Sequence, residues 1–76
     1  MNTYNESPLV RIQNKYSSFH PKEKRIADYI LKEADQIIYQ SVKETAQQCG
    51  TSESSIVRFC KVIGYSGYSE LKVEIA

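Results

Sequence analysis

A link of only three residues, Gly50-Thr51-Ser52, joins two helical patterns in this sequence. No other feature restricts the fold as much. Ahead of it, Ser41 and Glu44 have the spacing of a capping box, in which each side chain satisfies a backbone donor of the first turn. Val42, Thr45, Ala46 and Cys49 then recur at helical spacing, so this helix has one apolar face. Gly50 ends it, because glycine enters the left-handed conformation without the steric cost of a Cβ. Ser52 starts the next helix as its N-cap. Helices joined this closely must cross steeply and press together at the corner, where only a small side chain fits. Ala46, four positions before Gly50, supplies that side chain, and Ile56 lies six positions after it. The spacing predicts a helix-turn-helix.

The second helix of the pair places Ile56, Phe59, Cys60 and Ile63 on one face, at i, i+3, i+4 and i+7. The opposite face carries Ser54, Arg58 and Lys61, with Ser55 and Val57 beside it. A helix start pushed into a major groove needs short side chains first, so that the backbone can approach. Long donors must follow, for guanine edges and phosphates. This face has that order. For a helix in isolation, a solvated polar face is the simpler reading; the tight turn, Ala46 and Gly50 favour DNA. The helix Glu53 to Ile63 is then expected in the major groove, with Arg58 and Ser54 at base edges. Thr51, Ser52, Ser55 and Lys61 are expected to position the backbone, and Lys43, near the start of the preceding helix, to reach a phosphate.

Seventy-six residues make one small domain with a limited core. Lys and Arg total 10 against 9 Asp and Glu, a formal net charge of +1. A single copy with so little charge should bind DNA weakly at physiological salt, so a dimer or larger homo-oligomer is expected. Cys49 and Cys60 are not a CxxC pair, and with one histidine, His20, they cannot complete an ordinary zinc site. Both read as small core residues, and neither a metal nor a cofactor is expected. The start of the chain lacks the apolar region of a signal peptide, and no apolar run approaches a membrane span. A reducing cytoplasm is the expected location.

Elsewhere the chain reads as helices. Met1 to Glu6 are polar and expected to fray. Ser7-Pro8 starts a helix whose apolar face is Leu9, Ile12 and Tyr16, and Ser17-Ser18-Phe19 breaks it. His20-Pro21-Lys22-Glu23 starts the second, with His20 at the cap and Ile26, Tyr29 and Ile30 as its core stripe. Its other face carries Lys22, Arg25, Asp28 and Lys32, a solvated surface from which Lys22 and Arg25 could also meet phosphates. A single helical turn is expected around Asp35 to Ile38, pinned by Ile37 and Ile38. Ser66 is expected to cap a last helix, Gly67 to Ala76, with Tyr68, Leu71, Val73 and Ile75 as apolar positions. Its periodicity persists to Ala76, which suggests that it continues. Strand signals are missing, so the expected fold is an all-α bundle of about five helices.

Four segments carry a resemblance: Glu23 to Leu31, Ser41 to Ala46, Thr51 to Lys61 and Gly64 to Lys72. Together they resemble the N-terminal domain of RpiR-type bacterial transcriptional regulators, with His20 replacing the usual Thr or Ser cap. The resemblance implies a helix-turn-helix domain that binds double-stranded operator DNA. It also implies a C-terminal SIS domain, outside these residues, that binds a sugar-phosphate effector and helps assemble the oligomer. Control of sugar or amino-sugar phosphate metabolism is the function it suggests. A helical protein-interaction or dimerisation module without DNA readout is the alternative; Tyr4, Tyr16, Tyr29, Tyr39, Tyr65 and Tyr68 could furnish its surface. An enzyme is disfavoured, because the chain has no nucleophile motif and no glycine-rich phosphate loop.

Overall fold

The computed structural model describes residues 6–76. The expectations for Met1 to Asn5, Tyr4 included, fall outside them. Six helices follow one another: α1 (Pro8–Lys15), α2 (Pro21–Lys32), α3 (Ala34–Ile37), α4 (Val42–Cys49), α5 (Glu53–Val62) and α6 (Tyr68–Ile75). A single 3₁₀ turn, Tyr16–Ser18, joins α1 to α2. Among the described residues there is no strand. The all-α bundle is the one expected, with α3 as the isolated turn before the helix pair.

The helix starts follow the local chemistry. Ser7 Oγ accepts from the Val10 N–H at 3.3 Å, and Pro8 takes the first helical position, where no donor is needed. At α2 the Glu23 carboxylate accepts from the His20 N–H at 3.1 Å, and its other oxygen lies 3.4 Å from the imidazole. The weaker cap residue is thus supported from the third helical position.

Ile12, Ile26, Ile30, Ile37, Ile56, Phe59, Ile63 and Leu71 are enclosed, so every α-helix except α4 contributes a large side chain to one core. α4 contributes small ones instead: Thr45, Ala46 and Cys49. Phe19 ties the α1–α2 link to α5, its ring 5.2 Å from that of Phe59. A polar cluster sits inside this apolar frame. The Tyr68 hydroxyl lies 2.6 Å from Thr45 Oγ1 and 3.1 Å from the Gln40 carbonyl. Gln40 Oε1 accepts from the Tyr29 hydroxyl at 3.0 Å and from Thr45 at 3.1 Å, and Lys72 Nζ donates to the Gln40 carbonyl at 3.1 Å. Buried polar atoms left unpaired cost about 1–3 kcal/mol each, so the cluster joins α2, the α3–α4 link, α4 and α6 in one arrangement.

Three expectations need correction. α6 starts one residue later than expected: Gly67 is its N-cap, and the Ser66 N–H donates to Glu70 Oε1 at 2.6 Å instead of the Ser66 hydroxyl capping the helix. Val73 is 70% exposed, because it lies about 200° around the helix from Leu71, and the inward stripe is Tyr68 and Leu71 with Ile75 partly buried beside them. Ile38 is only half-buried, leaving Ile37 as the anchor of the α3 turn.

Ala46→Leu is expected to destabilise the domain by about 1–3 kcal/mol through overpacking at the α4–α5 corner. Gln47→Leu, on the exposed side of the same helix, should stay within about 0.5 kcal/mol. Urea titration followed by circular dichroism compares the two.

Candidate nucleic-acid interface

The α4–α5 corner is built by three local devices. Ser41 and Glu44 form the capping box: Ser41 Oγ accepts from the Glu44 N–H at 3.1 Å, and the Ser41 N–H donates to Glu44 Oε1 at 2.8 Å. Gly50 ends α4 at φ 70° and ψ 37°, in the left-handed region. The Thr51 N–H then reaches back to the Ala46 carbonyl at 2.9 Å and the Gly50 N–H to that of Gln47 at 3.2 Å, the paired bonds of a Schellman stop. Ser52 Oγ accepts from the Ser55 N–H at 3.1 Å and starts α5. Ala46 is 3% exposed and Ile56 fully enclosed, so the corner closes as the spacing requires.

With Ile56, Phe59 and Cys60 turned into the core, α5 presents its opposite face outward. Ser54, Val57, Arg58 and Lys61 line one open depression of about 320 Å³ along that face. Ser52, Ser54, Arg58, Lys61 and Lys43 are all exposed. The remaining two site residues are placed differently. Ser55 is 9% exposed and its hydroxyl lies 2.9 Å from Ser52 Oγ, so in the free domain it orders the cap. Thr51 is half-buried, and its Oγ1 is enclosed with no hydrogen-bond partner among the described residues. Glu53 opens α5, where a carboxylate complements the positive end of the helix.

The basic residues divide by task, which the net charge conceals. Arg11 donates to the Ile63 carbonyl at 3.2 Å and lies 4.8 Å over the Tyr65 ring. Lys24 sits 5.5 Å over Tyr16, and Lys72 is held by Gln40 and the Tyr68 ring. By contrast, Lys43, Arg58 and Lys61 enter no ion pair within 4 Å among the described residues. Arg58 and Lys61 share the outer face of α5, and Lys43 is exposed separately on α4.

No group of three or more His, Cys, Asp or Glu residues is placed to hold a metal among the described residues. Cys49 and Cys60 are buried and unpaired with each other. Burial pushes both thiols from an ordinary 9.0 up to about 11, against a smaller opposing effect of Arg25 on Cys49. Among the described residues no helix is long and apolar enough to cross a membrane.

The helix-turn-helix domain of the rpiR family matches residues 7–76. The chain belongs to that family. This rpiR-family domain is a DNA-binding helix-turn-helix domain of a transcriptional regulator and not an enzyme. It is 48% identical over 68 residues to an HTH-type transcriptional regulator of Caldanaerobacter subterraneus subsp. tengcongensis, covering 90% of this chain and 24% of the relative. It is 35% identical to the HTH-type transcriptional regulator HexR of Pseudomonas aeruginosa, with the same coverage. The rpiR-family domain therefore spans about a quarter of the length of the curated relatives it matches. Among solved structures it superposes on Vibrio vulnificus NanR, complexed with ManNAc-6P, with TM-score 0.86 and 35% identity, covering 90% of this chain and 26% of that one. The N-terminal domain of Bacillus subtilis ybbH matches with TM-score 0.83 and 31% identity over 90% of this chain and 83% of that one.

Two outcomes follow from this geometry. Ser52→Ala should cost about 1 kcal/mol, because it removes the α5 cap and strands the Ser55 hydroxyl, whereas Ser54→Ala should stay within about 0.5 kcal/mol in urea unfolding. The thiols supply a pH signature. Unfolded thiols ionise near 9.0 and the folded ones only near 11, so the unfolded state sheds protons first. Their contribution is complete below pH 9 and is lost between pH 9 and 11. Thermal unfolding midpoints should fall across that window, and at neutral pH a thiol reagent should modify both cysteines rapidly only in urea.

Proposed function

We propose that this rpiR-family domain recognises a specific double-stranded operator by laying the outer face of α5 in the major groove. One observation carries the reading: Ser54, Arg58 and Lys61 form an exposed row, without ion pairs among the described residues, on a helix whose angle is fixed by the three-residue turn. Arg58 reaches a guanine edge and Ser54 a neighbouring base. Ser52, Lys61 and Lys43 hold phosphates, which fix register without reading sequence. Ser55 supports that contact through Ser52. The Thr51 hydroxyl, enclosed and without a partner among the described residues, turns outward to the backbone when DNA is present.

In the whole protein, we propose, a C-terminal SIS domain binds a sugar-phosphate effector, and the operator controls sugar or amino-sugar phosphate metabolism in the cytoplasm. The NanR structure holds ManNAc-6P, which supports a ligand of that chemistry for this chain's regulator as well. A net charge of +1 supports assembly of two or more copies on tandem half-sites, since each domain neutralises few phosphates.

Fluorescence anisotropy tests the reading with fragments from the host's upstream regions and a random duplex, at two salt concentrations. A preference for one fragment that survives added salt is expected. On that fragment Arg58→Ala should lose about 1–3 kcal/mol and relax preference at one base position, while Lys61→Ala should weaken all duplexes alike and lower the salt slope by about 1. An Arg58→Ala domain with unchanged affinity and preference rules out the groove assignment, and no binding at low salt leaves a helical interaction module.

A further inference from the structure

The side of α2 that faces the α4–α5 pair carries two cations that the helix-turn-helix itself does not include. Lys22 and Arg25 are three residues apart, a spacing that puts them on one helix face. Both are exposed, and neither enters an ion pair within 4 Å among the described residues. Their neighbours are otherwise engaged. Lys24 is turned away onto the Tyr16 ring, at 5.5 Å, and Asp28 accepts from the Tyr16 hydroxyl at 2.8 Å. The Glu23 carboxylate is held by the His20 N–H at 3.1 Å. α2 therefore divides into a Tyr16 side, where its charges are partnered, and a side on which Lys22 and Arg25 are not.

Two placements join that second side to the groove-facing surface. Arg25 Nη1 lies 3.7 Å from where a Cβ on Gly50 would stand, so its guanidinium rests against the helix-turn-helix turn. Lys22 and His20 line a small crevice together with Arg58 of α5, and the Glu23 carboxylate, held by the His20 N–H, lines it as well. Arg58 also lines the open depression with Ser54, Val57 and Lys61. The start of α2 and the outer face of α5 are thus one continuous surface, and Arg58 is the residue they share.

We propose that α2 forms a second DNA-backbone contact, in which Lys22 and Arg25 hold phosphates flanking the groove that α5 enters. The inference rests on the α5 groove reading and extends it to a helix outside the motif. The chemistry suits a phosphodiester: a planar guanidinium offers paired donors to its oxygens, and a lysine on a flexible stem offers a point charge. Such contacts are independent of sequence and release counterions, so each steepens the salt dependence of binding by about 0.9 in log–log slope. They let a domain of net charge +1 concentrate its binding charge on one side. Lys22 and Arg25 act as positioning residues; preference among sequences stays with α5.

The test is the slope of log affinity against log salt for the wild-type domain and for Lys22→Ala, Arg25→Ala, Arg58→Ala and Lys24→Ala, on the preferred duplex and a random one. Lys24→Ala removes one charge from the same helix but on the Tyr16 side, so it reports the general field. Lys22, Arg25 and Arg58 are exposed helical positions where alanine keeps the fold, Lys24 is half-buried against Tyr16, and urea titration checks the stability of each variant. Lys22→Ala and Arg25→Ala are each expected to lower the slope by about 0.9 on both duplexes, leaving the preference ratio unchanged, while Lys24→Ala leaves the slope as it was. Unchanged slopes for Lys22→Ala and Arg25→Ala, with preference still relaxed by Arg58→Ala, overturn the α2 contact and leave the α5 reading standing. An equal fall for Lys24→Ala also overturns it, because the effect is then one of net charge. A wild-type domain that binds neither duplex ends both readings together.

Discussion

Left-handed backbone at Gly50 sets the angle at which α5 leaves α4, and the other features of the binding face depend on that angle. The Schellman bonds from Thr51 and Gly50 engage the Ala46 and Gln47 carbonyls within the turn itself, so Ser52 can cap α5 at once. A longer link would let the two helices separate; a side chain larger than Ala46 would force them apart at the corner. The apolar face of α5 is thereby pressed into the core. Its small-then-cationic face is turned outward as a consequence, with no interaction of its own required to hold it there.

The rest of the domain holds this pair in place. Phe19 and Phe59 pack together from the side of α1 and α2. From the other side, the hydroxyls of Tyr68 and Thr45, the Gln40 amide and carbonyl, and Lys72 fasten α6 and the α3–α4 link onto α4. Apolar packing alone would allow some sliding of α6, since its buried stripe is short. A buried polar cluster allows little, because any slip leaves donors and acceptors unpaired in a medium where that is costly. The same economy governs charge. Arg11, Lys24 and Lys72 serve carbonyls and rings in the frame, and the cations on the α5 side enter no ion pair among the described residues. An almost neutral chain can in this way carry a locally basic face.

Helix starts and stops were legible because they depend on local rules: Ser7-Pro8, the Ser41–Glu44 box, Gly50 and Ser52 all act where their spacing puts them. The core of α5 was legible for a similar reason, since Ile56, Phe59, Cys60 and Ile63 are the only phase of that helix rich in large apolar groups. What the spacing did not reveal depends on helix phase or on partners elsewhere in the fold. Val73 is apolar but out of phase with Tyr68 and Leu71, and with eight residues α6 has too little length for periodicity to decide its buried side. Ser55 is polar and adjacent to the outer face, yet the cap at Ser52 draws its hydroxyl inward. Arg25 beside Gly50 links residues 25 positions apart, which no local spacing announces. The buried Thr45–Tyr68 pair was equally hidden, although Gln40, Thr45 and Tyr68 together could have suggested a polar cluster.

The central claim is that α5 presents the surface that meets DNA. Amide NMR spectra of the domain, recorded while adding a duplex that the domain itself selects from a random-sequence library, test it most directly. The account predicts that the largest changes fall between Thr51 and Lys61, with small ones over α1 and α6. Changes concentrated on α6 and the exposed Val73 side, with the α5 amides undisturbed, would contradict it.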